Sequence, residues 1–186
     1  MKFGISKVLV TTMQALSGAG YPGVASLDIL DNVIPYIGNE EPKMESEPLK
    51  LLGTLQKDHV RMADIVVSAQ CNRVNVNDGH TECVSVKSDK KVELADIVKA
   101  LESFNPLNGL GLPMAPARPI VVRGENNRPQ PKMYRDLGKG MTATVGRVRP
   151  CPVLDWKFIV LSHNTIRGAA GAAILNAELM KVKGYL

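Results

Sequence analysis

Gln70-Cys71-Asn72-Arg73-Val74-Asn75-Val76-Asn77-Asp78-Gly79-His80-Thr81-Glu82 is the stretch on which the reading of this chain turns. Val66 and Val67 lead into it and Val84 and Val86 alternate on the way out, so both flanks read as extended chain. Asn77-Asp78-Gly79 supplies turn chemistry between them. The expected local structure is two short extended segments about a tight bend, with Arg73 on one and His80 just after the turn. This brings a permanent cation with a fixed fork of donors near a titratable imidazole. Such a pair can hold a substrate carboxylate while a proton moves. Spacing alone does not separate that reading from a chance arginine and histidine on a surface turn, and both stand at this point.

Working outward, 186 residues fit one domain with room for a substantial core. With 45% hydrophobic and 22% charged residues the composition is that of a globular protein. Aromatics make up only 4%, so Val, Leu, Ile, Ala and Met must build most of the core. No run of 18 apolar residues exists to span a membrane, and the first residues lack the apolar stretch of a signal peptide. Cys71, Cys83 and Cys151 show no metal-ligand spacing and leave one thiol over in any disulfide scheme; reduced thiols in the cytoplasm are the simpler reading. The net charge of +5 is scattered, without a basic helix face or interleaved aromatics, which argues against nucleic acid and for anionic metabolites.

Strands are expected at 7–13, 65–76, 82–87, 119–123, 141–148 and 156–161. Helices are expected at 93–104, where Leu94, Ile97, Val98 and Leu101 share a face, and over the C-terminal stretch beginning near 162–173, capped by Asn164 or Thr165. A short helix is expected within 24–36 and another over 49–55, preceded by an acidic loop or helix start at 38–47. Together these predict an α+β fold, a mixed and largely antiparallel sheet with helices on one face. Gly18, Gly20 and Gly23 satisfy the dinucleotide pattern G-x-G-x-x-G, but Pro22 sits inside the turn and no run of βαβ units follows, so that match is rejected. The glycines mark instead a loop whose backbone approaches something closely.

Gln-Cys-Asn-Arg-Val at 70–74 and Asp-Gly-His-Thr-Glu at 78–82 resemble the aspartate-semialdehyde dehydrogenases, in the branch shared by archaea and fungi. The likeness continues in Thr12-Met13-Gln14-Ala15-Leu16-Ser17-Gly18-Ala19-Gly20, in Arg128-Pro129-Gln130-Pro131, and through 162–173. It implies the fold of the C-terminal domain of glyceraldehyde-3-phosphate dehydrogenase. It also implies NADP-dependent reduction of aspartyl phosphate to aspartate semialdehyde, with a malonyl-CoA reductase or a stand-alone dimerisation module as alternatives. By the same resemblance His80 is the general base and Gln14 an active-site glutamine. Arg73 holds the substrate carboxylate, Glu40 its ammonium and Lys43 the phosphate, while Asn164 lies near the nicotinamide ring. Glu41 competes with Glu40 for the amine role, because the register there is insecure. The nucleotide-binding domain and the nucleophilic cysteine of the family are expected upstream of Met1, and cofactor binding by this chain alone is not expected. A homo-oligomer is expected, through the apolar sheet, the proline-rich arm Arg128–Lys132 and the stripe Leu175, Leu179 and Val182.

Overall fold

The computed structural model describes residues 3–186. In chain order its elements are β1 (Lys7–Gln14), a 3-10 turn at Leu16–Ala19, α1 (Ser26–Ile29), β2 (Val33–Ile34), α2 (Glu40–Leu51), β3 (Thr54–Leu55), β4 (Val60–Arg61), β5 (Val66–Val74), β6 (His80–Lys87), α3 (Leu94–Glu102), β7 (Ile120–Arg123), α4 (Pro131–Tyr134), β8 (Ala143–Pro150), β9 (Trp156–Ser162) and α5 (Gly171–Val182). Seven strands form one sheet in the order β2-β5-β1-β6-β9-β8-β7. The β1/β5 and β7/β8 pairs are parallel and the other pairs antiparallel, so the mixed, mostly antiparallel expectation holds.

The expected bend between β5 and β6 is there, but the two strands are not partners. β1 lies between them, parallel to β5 and antiparallel to β6. The register pairs Gln14 with Arg73 and Met13 with Thr81. Residues paired across adjacent strands share a sheet face, so Gln14, Arg73 and His80 rise from three neighbouring strands at one end of one face.

That same face carries Val8, Val10, Val84, Val86, Trp156 and Phe158, and both longer sheet-covering helices lie on it. Met44, Pro48 and Leu52 of the α2 region meet Val8, Val10, Ile65, Val67 and Val84. Ile97, Ala100 and Leu101 of α3 face Val86, Trp156 and Phe158 across an apolar cavity of about 410 Å3. The scarcity of aromatics is offset by concentration: Phe3, Phe104, Phe158 and Trp156, every phenylalanine and the single tryptophan, line this one cavity. The opposite sheet face exposes Leu9, Val66, Ser68, Gln70 and Cys83. A second core holds the long connection: Leu112, Met141 and Leu175 are buried together, with Leu107, Leu110, Met114, Ile166 and Leu179 against them.

Four local expectations need correction. The helix expected within 24–36 is a single turn, Ser26–Ile29, followed by the strand Val33–Ile34, because Leu30 is already extended and Asp31 takes a φ of 54°. Of the two readings of the acidic segment, the helix start holds: α2 runs Glu40–Leu51 with Pro48 inside it, and it ends four residues before the expected limit at 55. What holds α2 in place is the open edge of β5, where β2 pairs only Arg73 and Val74. Glu41 Oε1 accepts from Cys71 N and Glu45 Oε1 from Ala69 N, both at 3.0 Å. Residues four apart on a helix and two apart on a strand are both separated by about 6–7 Å, so two carboxylates match two edge N–H groups.

The other two corrections concern the C-terminal region. Neither Asn164 nor Thr165 caps a helix; the chain enters α5 through a π-helical turn at Ile166–Ala170 without a side-chain cap. Within the stripe Leu175, Leu179 and Val182, the first two are used by the chain's own second core and only Val182 is exposed. The arm at Arg128 also packs on its own sheet. A Cβ on Gly146 of β8 would lie 2.4 Å from the Arg128 carbonyl oxygen, a backbone atom that cannot swing aside. Gly146→Ala is therefore expected to cost about 1–3 kcal/mol, read from urea unfolding, by prising this arm off β8.

Candidate active site

The site is assembled where the C-terminal ends of β1 and β5 meet the start of β6. Arg73 is buried, and its Nη1 donates to the Ala15 carbonyl at 2.7 Å. The backbone N–H of Ala15 donates to His80 Nδ1 at 3.1 Å. Ala15 thus holds both side chains, one by each of its peptide groups. Gln14 is buried beside them and its Nε2 donates to Glu40 Oε1 at 3.3 Å, which ties the first turn of α2 to the end of β1.

Gly18 shows how closely these groups converge. A Cβ there would lie 2.9 Å from Arg73 Nη1, 3.1 Å from His80 Cε1 and 3.2 Å from His80 Nε2. The guanidinium and the imidazole edge therefore face one small space beside an exposed loop. The close backbone approach expected of the Gly18-Ala-Gly20 loop is real, and its object is this pair of side chains.

Electrostatics fix the states of both groups. Burial, helped by the Arg73 charge and opposed by Glu40, pushes His80 down to about 4. His80 is therefore a neutral imidazole at physiological pH. Burial also lowers Arg73, with Glu40 acting against it; arginine nevertheless stays cationic. Cys71 stands two residues before Arg73, but burial raises its thiol, and Glu40, Glu41 and Glu82 add to that rise. A thiol held protonated is a poor nucleophile.

Of the residues singled out from sequence, Gln14, Glu40, Arg73 and His80 form one cluster. Glu41 is separated from Glu40 by its use: it satisfies the β5 edge, whereas Glu40 turns to Gln14. Lys43 is exposed, one helical turn beyond Glu40 on the same side of α2. Asn164 joins the cluster indirectly, with Oδ1 accepting from Gly79 N at 2.9 Å and Nδ2 donating to Ser17 Oγ at 2.8 Å. The neighbouring His163 is buried and engaged by Thr165 Oγ1 at 3.3 Å and the Asp136 carboxylate at 3.8 Å. Ala15, Ser17 and Gly18 were not marked individually by their residue types, since their contributions are backbone groups and proximity. Among the described residues, no group of three or more His, Cys, Asp or Glu is placed to hold a metal ion.

Glu82 sits two residues beyond His80 on the same face, against Val8, Val10 and Val84, with no hydrogen bond or ion pair among the described residues. Burial raises its carboxyl. Because the folded value lies above the unfolded one, the folded state carries a penalty that is absent below about pH 4.5 and grows as pH rises through the folded value. Glu82→Gln is accordingly expected to stabilise the chain by about 1 kcal/mol at pH 7 and to leave it unchanged near pH 4, in urea melts at the two pH values.

With this geometry in view, the comparisons with known proteins are specific. The profile described as "Semialdehyde dehydrogenase, dimerisation domain" matches residues 1–167. The aspartate-semialdehyde dehydrogenase of Archaeoglobus fulgidus is 56% identical over 180 residues, covering 97% of this chain and 52% of that protein. That of Saccharomyces cerevisiae is 47% identical over 195 residues, covering 100% of this chain and 53% of the relative. The crystal structure of the Candida albicans aspartate semialdehyde dehydrogenase with NADP superposes with a TM-score of 0.88 at 43% identity, over 98% of this chain and 52% of that one. The Vibrio cholerae aspartate semialdehyde dehydrogenase II superposes at 0.76 with 27% identity, over 100% of this chain and 57% of that one. The chain spans about half the length of the curated relatives it matches. A seven-stranded sheet of matching fold, a matched profile over most of the sequence and relatives near half identity lead to one conclusion: the chain belongs to the semialdehyde dehydrogenase dimerisation-domain family.

Proposed function

We propose that this chain is the catalytic and dimerisation domain of an NADP-dependent aspartate-semialdehyde dehydrogenase of amino-acid biosynthesis, working in the cytoplasm. The observation that carries the reading is the convergence of Arg73 Nη1 and His80 on the space beside Gly18, with Gln14 and Glu40 linked alongside. Arg73 grips the substrate α-carboxylate, Glu40 its ammonium and Lys43 the phosphate, while His80 handles the proton at the reacting carbonyl and Gln14 helps to orient it. Asn164 is the residue this reading assigns to the nicotinamide side of the site. In this reading a cysteine from outside these 186 residues would displace phosphate from the acyl phosphate to give a thioester, and NADPH, when bound, would supply the hydride that takes this thioester to the aldehyde with release of the thiolate. This chain alone is expected to turn nothing over.

A chimaera tests it. The half of the Archaeoglobus fulgidus relative that this chain does not match, fused to residues 1–186, is expected to reduce NADP when given aspartate semialdehyde and phosphate. Absence of turnover in a folded chimaera sinks the reading, and reduction of malonyl-CoA in preference moves it to that substrate.

The oligomeric part has its own test. Leu9 and Val66 on the uncovered sheet face, flanked by Ser68, Gln70 and Cys83, are the surface proposed to meet a second copy. Each such apolar side chain buried contributes roughly 1.5–3 kcal/mol. Light scattering at micromolar concentration is expected to give at least twice the 20.1 kDa chain mass, and a Leu9→Lys, Val66→Lys variant is expected to be monomeric.

A further inference from the structure

Two different devices close the edge of β5. β2 pairs with Val74 and Arg73, and beyond it the carboxylates of α2 stand in for a strand. Glu41 Oε1 accepts from Cys71 N and Glu45 Oε1 from Ala69 N, both at 3.0 Å, so the helix runs antiparallel to β5 with its first turn toward Arg73. We propose that Glu41, backed by Glu45, is a positioning residue that straps the first turn of α2 to β5. The strap fixes the separation of Glu40 from Arg73 and so determines selectivity for a substrate carrying an ammonium next to its carboxylate. This rests on the reading of the site given above, in which Arg73 takes the carboxylate and Glu40 the ammonium.

Both substrate-binding groups are close in sequence to the strap. Arg73 lies two residues beyond Cys71 on β5, and Glu40 immediately precedes Glu41 on α2. The bond between Cys71 and Glu41 is therefore a short path through the protein from the guanidinium to the Glu40 carboxylate. The other attachments of α2 do not hold its first turn. Asn39, which precedes the helix, takes a φ of 61° and makes no side-chain cap. Leu49 O accepts from Ala63 N at 2.8 Å, but that anchors the far end, more than two turns from Glu40. Met44, Pro48 and Leu52 press the helix onto Val8, Val10, Ile65, Val67 and Val84, yet apolar contact is non-directional and no residue of α2 is buried. Gln14 Nε2 reaches Glu40 Oε1 at 3.3 Å through two side chains, a contact that depends on where the helix already sits. With the far end held at Leu49, loss of the strap lets the first turn swing away from β5. A displacement of about 1 Å in a polar contact is enough to cost on the order of 10²-fold in rate.

Amide exchange reads the strap in the chain alone. Glu41→Ala is expected to speed exchange of the Cys71 amide by about tenfold or more while the amides shared by β1 and β6 exchange as before. Glu41→Gln, whose side-chain carbonyl can still accept, is expected to keep the protection. Unchanged Cys71 exchange in Glu41→Ala overturns the strap. Selectivity is read in the chimaera as the ratio of kcat/KM for aspartate semialdehyde to that for succinate semialdehyde, which lacks only the amine. Phosphate is kept saturating, because Lys43 rides on the same helix. Glu41→Ala is expected to lower the ratio by about tenfold or more, chiefly through KM for aspartate semialdehyde, and Glu41→Gln to stay within about threefold of the unaltered chimaera. An unchanged ratio in Glu41→Ala, whether both aldehydes lose alike or neither loses, overturns the selectivity role, as does a Gln variant no better than Ala. An unaltered chimaera inert toward both aldehydes overturns the reaction and the selectivity role together, whereas an active one with an unchanged ratio overturns the selectivity role alone.

Discussion

Arg73→Lys in the chimaera is expected to lower kcat/KM for aspartate semialdehyde by about 10²–10³-fold, a loss of about 3–4 kcal/mol of transition-state stabilisation. Lysine keeps the charge but cannot keep the geometry. Arg73 Nη1 is already engaged with the Ala15 carbonyl at 2.7 Å, and the rest of the fork remains to meet a carboxylate with two parallel bonds. An ammonium is a point charge on a flexible stem and must choose between the carbonyl and the substrate. Steady-state kinetics beside a urea melt decide the matter, because Arg73 is buried and a stability loss has to be separated from a loss of binding. A decrease below threefold in kcat/KM would mean that the guanidinium is a structural strut to Ala15 and not a substrate ligand.

Gly18→Ala is expected to lower kcat/KM by about 10–100-fold while leaving the unfolding midpoint in urea nearly unchanged. The added methyl would lie 2.9–3.2 Å from Arg73 Nη1 and the His80 ring, which are the ends of side chains that can give way. Gly18 does not occupy the left-handed region, its position is exposed, and alanine there brings no backbone strain. The fold therefore survives, while the space shared by the two groups is lost. Gly124→Ala, where nothing lies within 4 Å of the new methyl, serves as the control and is expected to be silent. A Gly18→Ala enzyme with full activity would show that substrate does not use that space.

Much of the architecture was legible in advance. The alternation of Val8, Val10 and Thr12, of Val84 and Val86, and the apolar run at 156–161 locate strands within a few residues, because one buried face imposes a period of two. The face of α3 could be read in the same way from its period of 3.6. Where expectation failed, a short-range signal was overruled. The acidic stretch at 38–47 could be read as a loop or as a helix start, and α2 extends from Glu40 because Glu41 and Glu45 find the N–H groups of β5, a match between two elements some thirty residues apart. Asn164 looked like a helix cap, and its amide is instead spent on Gly79 and Ser17.

Residue types and spacing alone established that Arg73 and His80 stand on either side of a turn, that the glycines at 18–23 do not open a dinucleotide-binding helix, and which family the motifs resemble. Only the tertiary structure decided what brings the arginine and histidine together. β1 inserts between β5 and β6, so the pair is organised across a third strand, with Ala15 as its pivot and Gln14 in register with Arg73. It also separated Glu40 from Glu41 and determined the environment that keeps His80 neutral. The reason is physical: periodicity reports which face of an element is buried, whereas strand order and the direction of a backbone N–H depend on contacts between residues far apart in the chain.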